Sequence, residues 1–223
     1  MAVLTADEIF IPPEATACAV AKRHSASVQE GDDENRTLTE EGVALCDAVR
    51  GDYRLLGTRL APQFGPALYF ASNLNRSVIT QFDVTHARQI RRDARVNTQR
   101  LTLRVLDEGR WVKGRIEQGY TEPQLIREAL GSAEVMADLR AKAPVYEVVS
   151  DLIDLVLRRN GFNDECRYVD VVGHEIGLSL MALEAGIEVG ELGLKPLQAY
   201  LYFLMGDQVI SVQKFAPSAT LRK

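Results

Sequence analysis

Three short apolar runs, each followed directly by polar residues and then by a helical pattern, constrain the fold of this chain most strongly. The runs are residues 16–22, 67–72 and 168–173. Apolar runs of this length between helical segments are typical of parallel strands that are buried on both faces. The pattern therefore predicts an α/β fold, a single-domain three-layer sandwich over residues 1–223 with helices on both faces of a mainly parallel sheet.

The segments after the first two runs predict helices. Apolar or small residues recur at the helical spacing i, i+3, i+4, i+7 after the first run: Gly42, Leu45, Cys46 and Val49. This helix can begin at Thr37, which has the capping-box spacing to Glu40, or at Thr39, which is an equally suitable N-cap. After the second run, a helical stretch begins at about Asn75.

The second half of the chain predicts further helices and ends in two strand-like runs. The expected elements are a strand at 101–106, a helix at 122–141, a helix from Val145 that ends near Asn160-Gly161, and a helix from Ile176. Two apolar runs at 199–205 and 208–215 flank the dipeptide Gly206-Asp207. Aromatic and β-branched residues on both sides of such a turn predict a C-terminal β-hairpin.

Charge and cysteine content exclude several classes of protein. The 31 acidic and 26 basic residues give a net charge of −5, which argues against a general nucleic-acid binder. The N-terminal segment lacks the features of a signal peptide, and no apolar run approaches the roughly 20 residues of a membrane-spanning helix. The cysteines have no paired spacing and lie in apolar segments: Cys18, Cys46 and Cys166. We expect free buried thiols, no zinc site and a cytoplasmic protein without membrane partners.

Polar side chains suited to phosphate chemistry follow all three apolar runs. These are Arg23-His24-Ser25, residues 72–76, and Gly173-His174-Glu175. Ligands of open α/β sheets bind beyond the carboxyl ends of the strands, so we expect one pocket there. Arginine binds phosphate oxygens bidentately, imidazole is a nucleophile, and a helix N-terminus offers N–H groups to an anion. Taken singly, a histidine or arginine at such a position is more often structural or solvated. Taken together, the three strand ends leave both an anion site and the structural interpretation open on the residues alone.

These residues resemble the motifs of the histidine phosphatase (phosphoglycerate mutase-like) superfamily. Its Arg-His-Gly motif is similar to Arg23, His24 and Ser25, and its late Gly-His motif is similar to Gly173 and His174, with Glu175 and Gly177 beyond. The Asp-x-x-Arg-x-Leu-Thr-x-x-Gly signature of its small phosphatases is matched at every defined position: Asp33, Arg36, Leu38, Thr39 and Gly42. Its second-strand motif Ser-x-Leu-x-Arg-x-x-x-Thr is matched as well: Ser72, Leu74, Arg76 and Thr80.

The resemblance implies a role for each matched residue. His24 would be the nucleophile, and His174 would complete the pocket and stabilise the transferring group. Arg23 and Arg76 would bind the phosphoryl oxygens. Three further residues would lie at the substrate: Ser25, which replaces the usual glycine, Arg36 and Glu175.

The proton donor departs from the family pattern. Many members carry a glutamate four residues before a glycine in an E-x-x-x-G-x-W-like segment, and the corresponding position here is Val105. We place Glu108 in the catalytic set, with Asp107 and Glu175 as alternatives. Members that act on good leaving groups can lack a dedicated donor, because such groups need little protonation.

The expected function is that of a phosphatase acting on a phosphomonoester or phosphohistidine-type substrate, either a small molecule or a phosphoprotein, with no cofactor and no metal. The alternative is a catalytically weak pseudo-phosphatase that binds an anionic ligand or partner. A mutase would need a well-formed proton donor. A nucleotide-binding Rossmann protein is disfavoured, because no glycine-rich turn follows the first strand.

Overall fold

The structure, a computed structural model, describes residues 1–28, 35–72, 74–92, 118–119, 132–133, 167–174, 178–179, 181–182, 185–188, 191–206 and 208–221. The strands are β1 (Val3–Leu4), β2 (Ala17–Arg23), β3 (Ala67–Ala71), β4 (Arg91–Arg92), β5 (Tyr168–Gly173), β6 (Ala199–Met205) and β7 (Gln208–Phe215). The α-helices with full bounds are α1 (Glu40–Phe64), α2 (Asn75–Thr85) and α3 (Ser218–Leu221), and a 3-10 turn spans Ala6–Glu8.

The described strands form one mixed sheet in the order β1-β7-β6-β2-β5-β3-β4. Strands β2, β5, β3 and β4 are parallel neighbours, whereas β6 is antiparallel to both β2 and β7. Arg23 pairs with Gly173, and Ala71 pairs with Val172, so the three predicted strands end side by side. The mainly parallel α/β sheet and the C-terminal hairpin are confirmed.

Strand β2 is buried on both faces, as its continuous apolar run predicts. Its alternate residues Cys18 and Val20 pack in one core cluster with buried residues of α1. Ala19 and Ala21 belong to the second cluster, which contains Leu178 from the helical residues 178–179. Helical residues therefore cover both faces of the sheet, which gives the expected three layers.

Helix α1 begins at the second of the two predicted N-caps. The Thr39 hydroxyl accepts a hydrogen bond from the Gly42 N–H at 3.0 Å, which satisfies a donor of the first turn. The helix ends at Gly65, whose φ of 77° favours glycine and whose N–H donates to the Ala61 carbonyl at 2.9 Å. Along the predicted stripe, Gly42, Cys46 and Val49 are buried.

Several predictions fall on residues outside the described part of the chain. These are the strand at 101–106, the helix at 122–141, the helix from Val145 to near Asn160-Gly161, and the free thiol at Cys166. Two short strands, β1 and β4, were not predicted. Cys18 and Cys46 are free and buried, and burial raises the pKa of Cys46 to about 11. None of the helices in the described residues is long and apolar enough to cross a membrane.

Candidate active site

Two histidines meet at the carboxyl ends of neighbouring strands. His24 follows β2 and His174 follows β5, and their ring centroids are 5.0 Å apart with an interplanar angle of 58°. The His24 N–H donates to the Gly173 carbonyl at 3.2 Å, so the two strand ends are also joined through the backbone. The convergence expected from the sequence therefore occurs, at a separation that lets both rings contact one small anion.

The orientation of the His24 ring is fixed by the backbone carbonyl of the next residue, Ser25. Its Nδ1 lies 2.7 Å from the carbonyl oxygen of Ser25. A carbonyl oxygen only accepts hydrogen bonds, so Nδ1 carries the hydrogen and the neutral ring has its lone pair at Nε2. This is the tautomer that a nucleophilic imidazole attacking through Nε2 requires.

Ser25 anchors the loop after β2 to two helices. Its side chain is fully buried, and its hydroxyl donates to the Gly42 carbonyl in α1 at 2.8 Å. Its N–H donates to the Thr80 hydroxyl in α2 at 3.1 Å. A serine is therefore accommodated where the family usually has glycine, because its hydroxyl finds an acceptor inside the protein.

Gly42 allows the first turn of α1 to lie against the same loop. The Thr39 N–H donates to the Ala26 carbonyl at 3.1 Å. A Cβ atom on Gly42 would lie only 2.2 Å from that carbonyl oxygen, so a larger residue cannot fit without moving backbone. Leu38 is buried just before the cap and forms an isolated bridge with Ser27. The Leu-Thr-x-x-Gly motif thus holds the loop that carries His24.

His174 is almost fully buried beside positive charge. Its Nε2 lies 3.1 Å from the Ser72 hydroxyl, which is hydrogen-bonded to the Ser77 hydroxyl at 2.8 Å. Burial lowers the pKa of His174 well below its ordinary value, and electrostatic coupling to His24 and to the positive charges of Arg76 and Arg23 lowers it further. His174 is therefore neutral at neutral pH.

Two arginines supply the positive charge of the site. Arg76 is the second residue of α2 and is 4% exposed. Arg23 ends β2, and its Nη1 donates to the Leu194 carbonyl at 2.6 Å, while its N–H donates to the Gln198 carbonyl at 2.9 Å. The buried Arg76 at the N-terminus of α2 and the half-buried Arg23 form an environment that favours a phosphate-like anion.

Of the remaining predicted site residues, the structure describes Arg36 but not Glu108 or Glu175. Arg36 is half-buried, directly before Thr37, whose carbonyl accepts a hydrogen bond from the Val28 N–H at 3.0 Å. Glu108 and Glu175 lie outside the described residues. Within the described residues, no group of three histidine, cysteine or carboxylate side chains is arranged to hold a metal ion.

The sequence motifs include Arg76 and Thr80 but not Ser77 and Gln81, which lie on the same buried face of α2. The buried residues of this helix are mostly polar: Arg76, Ser77, Thr80, Gln81 and Val84. The signal was present, because a helix that turns polar residues toward a sheet must satisfy them with specific partners. One of those partners, Ser25, lies in the loop that carries His24, and another, Ser72, contacts His174 through its hydroxyl.

Solved structures with the same fold are known. A phosphoglycerate mutase from Bacillus anthracis str. Sterne superposes with a TM-score of 0.55 at 16% identity, over 90% of this chain and 93% of that one. The protein histidine phosphatase SixA complexed with tungstate gives a TM-score of 0.50 at 14% identity, over 88% and 96%. A mycobacterial glucosyl-3-phosphoglycerate phosphatase gives 0.51 at 17% identity, over 89% and 95%.

No protein-family model matches the sequence, and no curated protein matches it. The likeness therefore rests on structure, and at these identities it establishes the fold alone. It spans about nine-tenths of the chain and agrees with the resemblance that the four sequence motifs indicated. The chain has the histidine phosphatase (phosphoglycerate mutase-like) fold.

Proposed function

We propose that this chain is a phosphatase that transfers a phosphoryl group from its substrate to His24 and then to water. The observation that carries the proposal is the contact between the His24 and His174 rings, 5.0 Å between centroids, next to the buried Arg76. The described part of the chain offers no comparable group of nucleophile and cations elsewhere. Proteins of the same fold are named as phosphatases of phosphohistidine and of glucosyl-3-phosphoglycerate, which supports this reaction class.

In the first step, the lone pair at Nε2 of His24 forms a bond to phosphorus while the bond from phosphorus to the leaving atom breaks, an oxygen in a phosphomonoester or a nitrogen in a phosphohistidine-type substrate. Arg23 and Arg76 bind the non-bridging oxygens, whose negative charge they neutralise. Neutral His174 contacts the same group from the β5 side. The product is a phosphohistidine and the released alcohol or amine.

In the second step, water attacks phosphorus and the bond to Nε2 of His24 breaks, which releases phosphate. The leaving group of the first step takes a proton from a carboxylic acid, and the resulting carboxylate then accepts a proton from the attacking water. We propose Glu108 for this role, with Asp107 and Glu175 as alternatives. Replacing the true donor with its amide should slow poor leaving groups far more than good ones, because only the poor ones need protonation.

We infer a phosphomonoester or phosphohistidine-type substrate, carried by a small molecule or by a protein, and one such domain over residues 1–223. Arg36 and Glu175 are proposed to lie at the substrate. Ser25 was expected there too. Its buried hydroxyl donates to the Gly42 carbonyl, which favours a structural role beneath the site. Because that side chain is directed into the protein, the change from glycine does not favour the pseudo-phosphatase alternative.

The proposal is tested with vanadate, an analogue of the transferring phosphoryl group. Vanadate should raise the melting temperature of the protein by mass action, and Arg76→Ala should abolish most of the rise. Arg54→Ala, on the exposed side of α1, is the matched control and should leave it unchanged. If vanadate raises the melting temperature of Arg76→Ala as much as that of the wild type, the anion binds elsewhere. Vanadate binding without hydrolysis of any phosphate ester would favour the pseudo-phosphatase alternative.

A further inference from the structure

A fully buried ion pair lies between the two strands that carry the histidines. The Nζ atom of Lys22 in β2 is 2.7 Å from Oδ1 of Asp170 in β5, and the two side chains are 0% and 3% exposed. Charged residues are almost never this deeply buried, because both lose their hydration. Burial lowers the pKa of Lys22, and Asp170 opposes that shift.

Stability is a weak explanation for this pair. Replacing a buried ion pair with apolar residues of similar volume is often neutral or stabilising. An apolar pair would also suit this position, since neighbouring inward residues of β2 such as Val20 and Cys18 are apolar. An ion pair differs from an apolar pair because it fixes the distance between two particular atoms, here one in β2 and one in β5. This fixed distance, and not stability, is the property for which we seek a role.

Gln81 connects the pair to a third element. Its Nε2 donates to Oδ1 of Asp170 at 3.0 Å and to the Asp170 carbonyl at 2.9 Å. Gln81 lies in α2 and is fully buried. The Asp170 carboxylate in β5 is therefore contacted by Lys22 from β2 and by Gln81 from α2. A carboxylate shared in this way fixes the two elements relative to its own strand.

The three connected elements are those that present the candidate catalytic groups. Strand β2 leads into His24, β5 leads into His174, and α2 begins with the turn that holds Arg76. We propose that Lys22, Asp170 and Gln81 form a positioning network that sets the distances among these three groups. The network contains no catalytic residue, because its members are buried beneath the site. The inference rests on the proposed function.

The network also extends toward Arg23. The Nζ atom of Lys22 lies 4.3 Å from the centroid of the Tyr53 ring, a cation–π contact. The Tyr53 hydroxyl donates to the Leu197 carbonyl at 2.9 Å. The Leu197 N–H in turn donates to the Arg23 carbonyl at 3.1 Å. Lys22 is thus linked to the backbone of the arginine that follows it through α1 and the segment before β6.

The test uses a variant that removes both charges together. Lys22→Met alone would leave Asp170 buried and unpaired, which is strongly destabilising. Lys22→Met/Asp170→Asn keeps the side-chain volumes and leaves Gln81 an acceptor, so we expect it to fold. Because the network acts on the geometry of the transition state, kcat should fall by about tenfold or more, with KM changed far less. The affinity for vanadate should fall in parallel.

Gln213→Met is the matched control. Gln213 is also buried in this sheet, but its side chain bonds the backbone of Phe10, with 3.0 Å from the Phe10 N–H to its Oε1. Loss of this hydrogen bond in Gln213→Met should lower the melting temperature, while kcat and the affinity for vanadate stay unchanged. If the double variant retains wild-type kcat and vanadate affinity, the positioning network is refuted, whereas the phosphatase proposal survives.

A readout without turnover separates this inference from the proposed function. In ring ¹H–¹⁵N spectra, the signals of His24 and His174 should shift in the double variant, and those of the exposed His86 should not. Wild-type protein that neither hydrolyses phosphate esters nor binds vanadate would overturn the proposed function, and the spectra would still decide on the network. Unchanged His24 and His174 signals would overturn the network.

Discussion

Replacing Gly42 with alanine should displace the loop that carries His24. The added Cβ would lie 2.2 Å from the Ala26 carbonyl oxygen, and real Cβ atoms do not approach closer than about 3.0 Å, so backbone must move by about 0.8 Å. Overpacking of this kind costs about 1–3 kcal/mol, and the obstacle here is backbone, which places the cost at the upper end. Alanine gains about 1 kcal/mol in helix propensity.

The expected net result is a loss of about 2 kcal/mol, which lowers the melting temperature by roughly 4–8 °C for a chain of this size. Gly57→Ala is the matched control, because Gly57 lies in the same helix and its added Cβ would meet no atom within 4 Å. That variant should gain about 0.5–1 kcal/mol. The same substitution at two positions of α1 should therefore change stability in opposite directions.

Thermal unfolding and turnover of an aryl phosphate measure both consequences. A displacement near 1 Å at the loop before α1 should lower kcat by roughly 10- to 100-fold in Gly42→Ala. Gly57→Ala should leave kcat unchanged. A Gly42→Ala protein that is stabilised like Gly57→Ala, or that retains wild-type turnover, would refute the close approach of α1 to the loop as the reason for this glycine.

A substitution at Ser25 and a change of pH test the contacts that hold the two histidine loops in place. Ser25→Ala removes the bond to the Gly42 carbonyl and should lower the free energy of unfolding by about 1 kcal/mol in denaturant titrations; an unchanged midpoint would contradict that bond. The unfolded chain binds a proton on His174 below a pH of about 6.5, whereas the folded protein, with its lowered pKa, does not. Stability should therefore fall as the pH is lowered through that value, and the fall should be smaller in His174→Gln; equal falls would contradict a buried neutral imidazole.

The elements that the sequence predicted well are those with a long local pattern. The strands before His24 and His174 are continuous apolar runs, and the hairpin has a turn between two such runs, so each is encoded within a few residues. Their convergence followed from a general rule for parallel sheets. The two-residue strands β1 and β4 were not predicted, because two residues carry no period.

Contacts between distant residues could not be predicted in the same way. Lys22 and Asp170 each stand alone in an apolar run, and only the strand pairing brings them together. The role of Gly42 depends on how closely α1 approaches Ala26, which no local pattern reports. Thr37 and Thr39 were equal candidates for the N-cap, and the hydrogen bond from Gly42 distinguishes them. The proton donor stays a prediction.

The most direct test of the central claim is to trap the intermediate on His24. Protein incubated with a radiolabelled aryl or acyl phosphate should retain label after an alkaline quench and lose it after an acid quench, because phosphohistidine is acid-labile. His24→Ala should retain no label and lose activity by several orders of magnitude, whereas His174→Ala should be impaired yet still accept some label. Label that persists in His24→Ala, or that is found on a serine or an aspartate, would contradict His24 as the nucleophile.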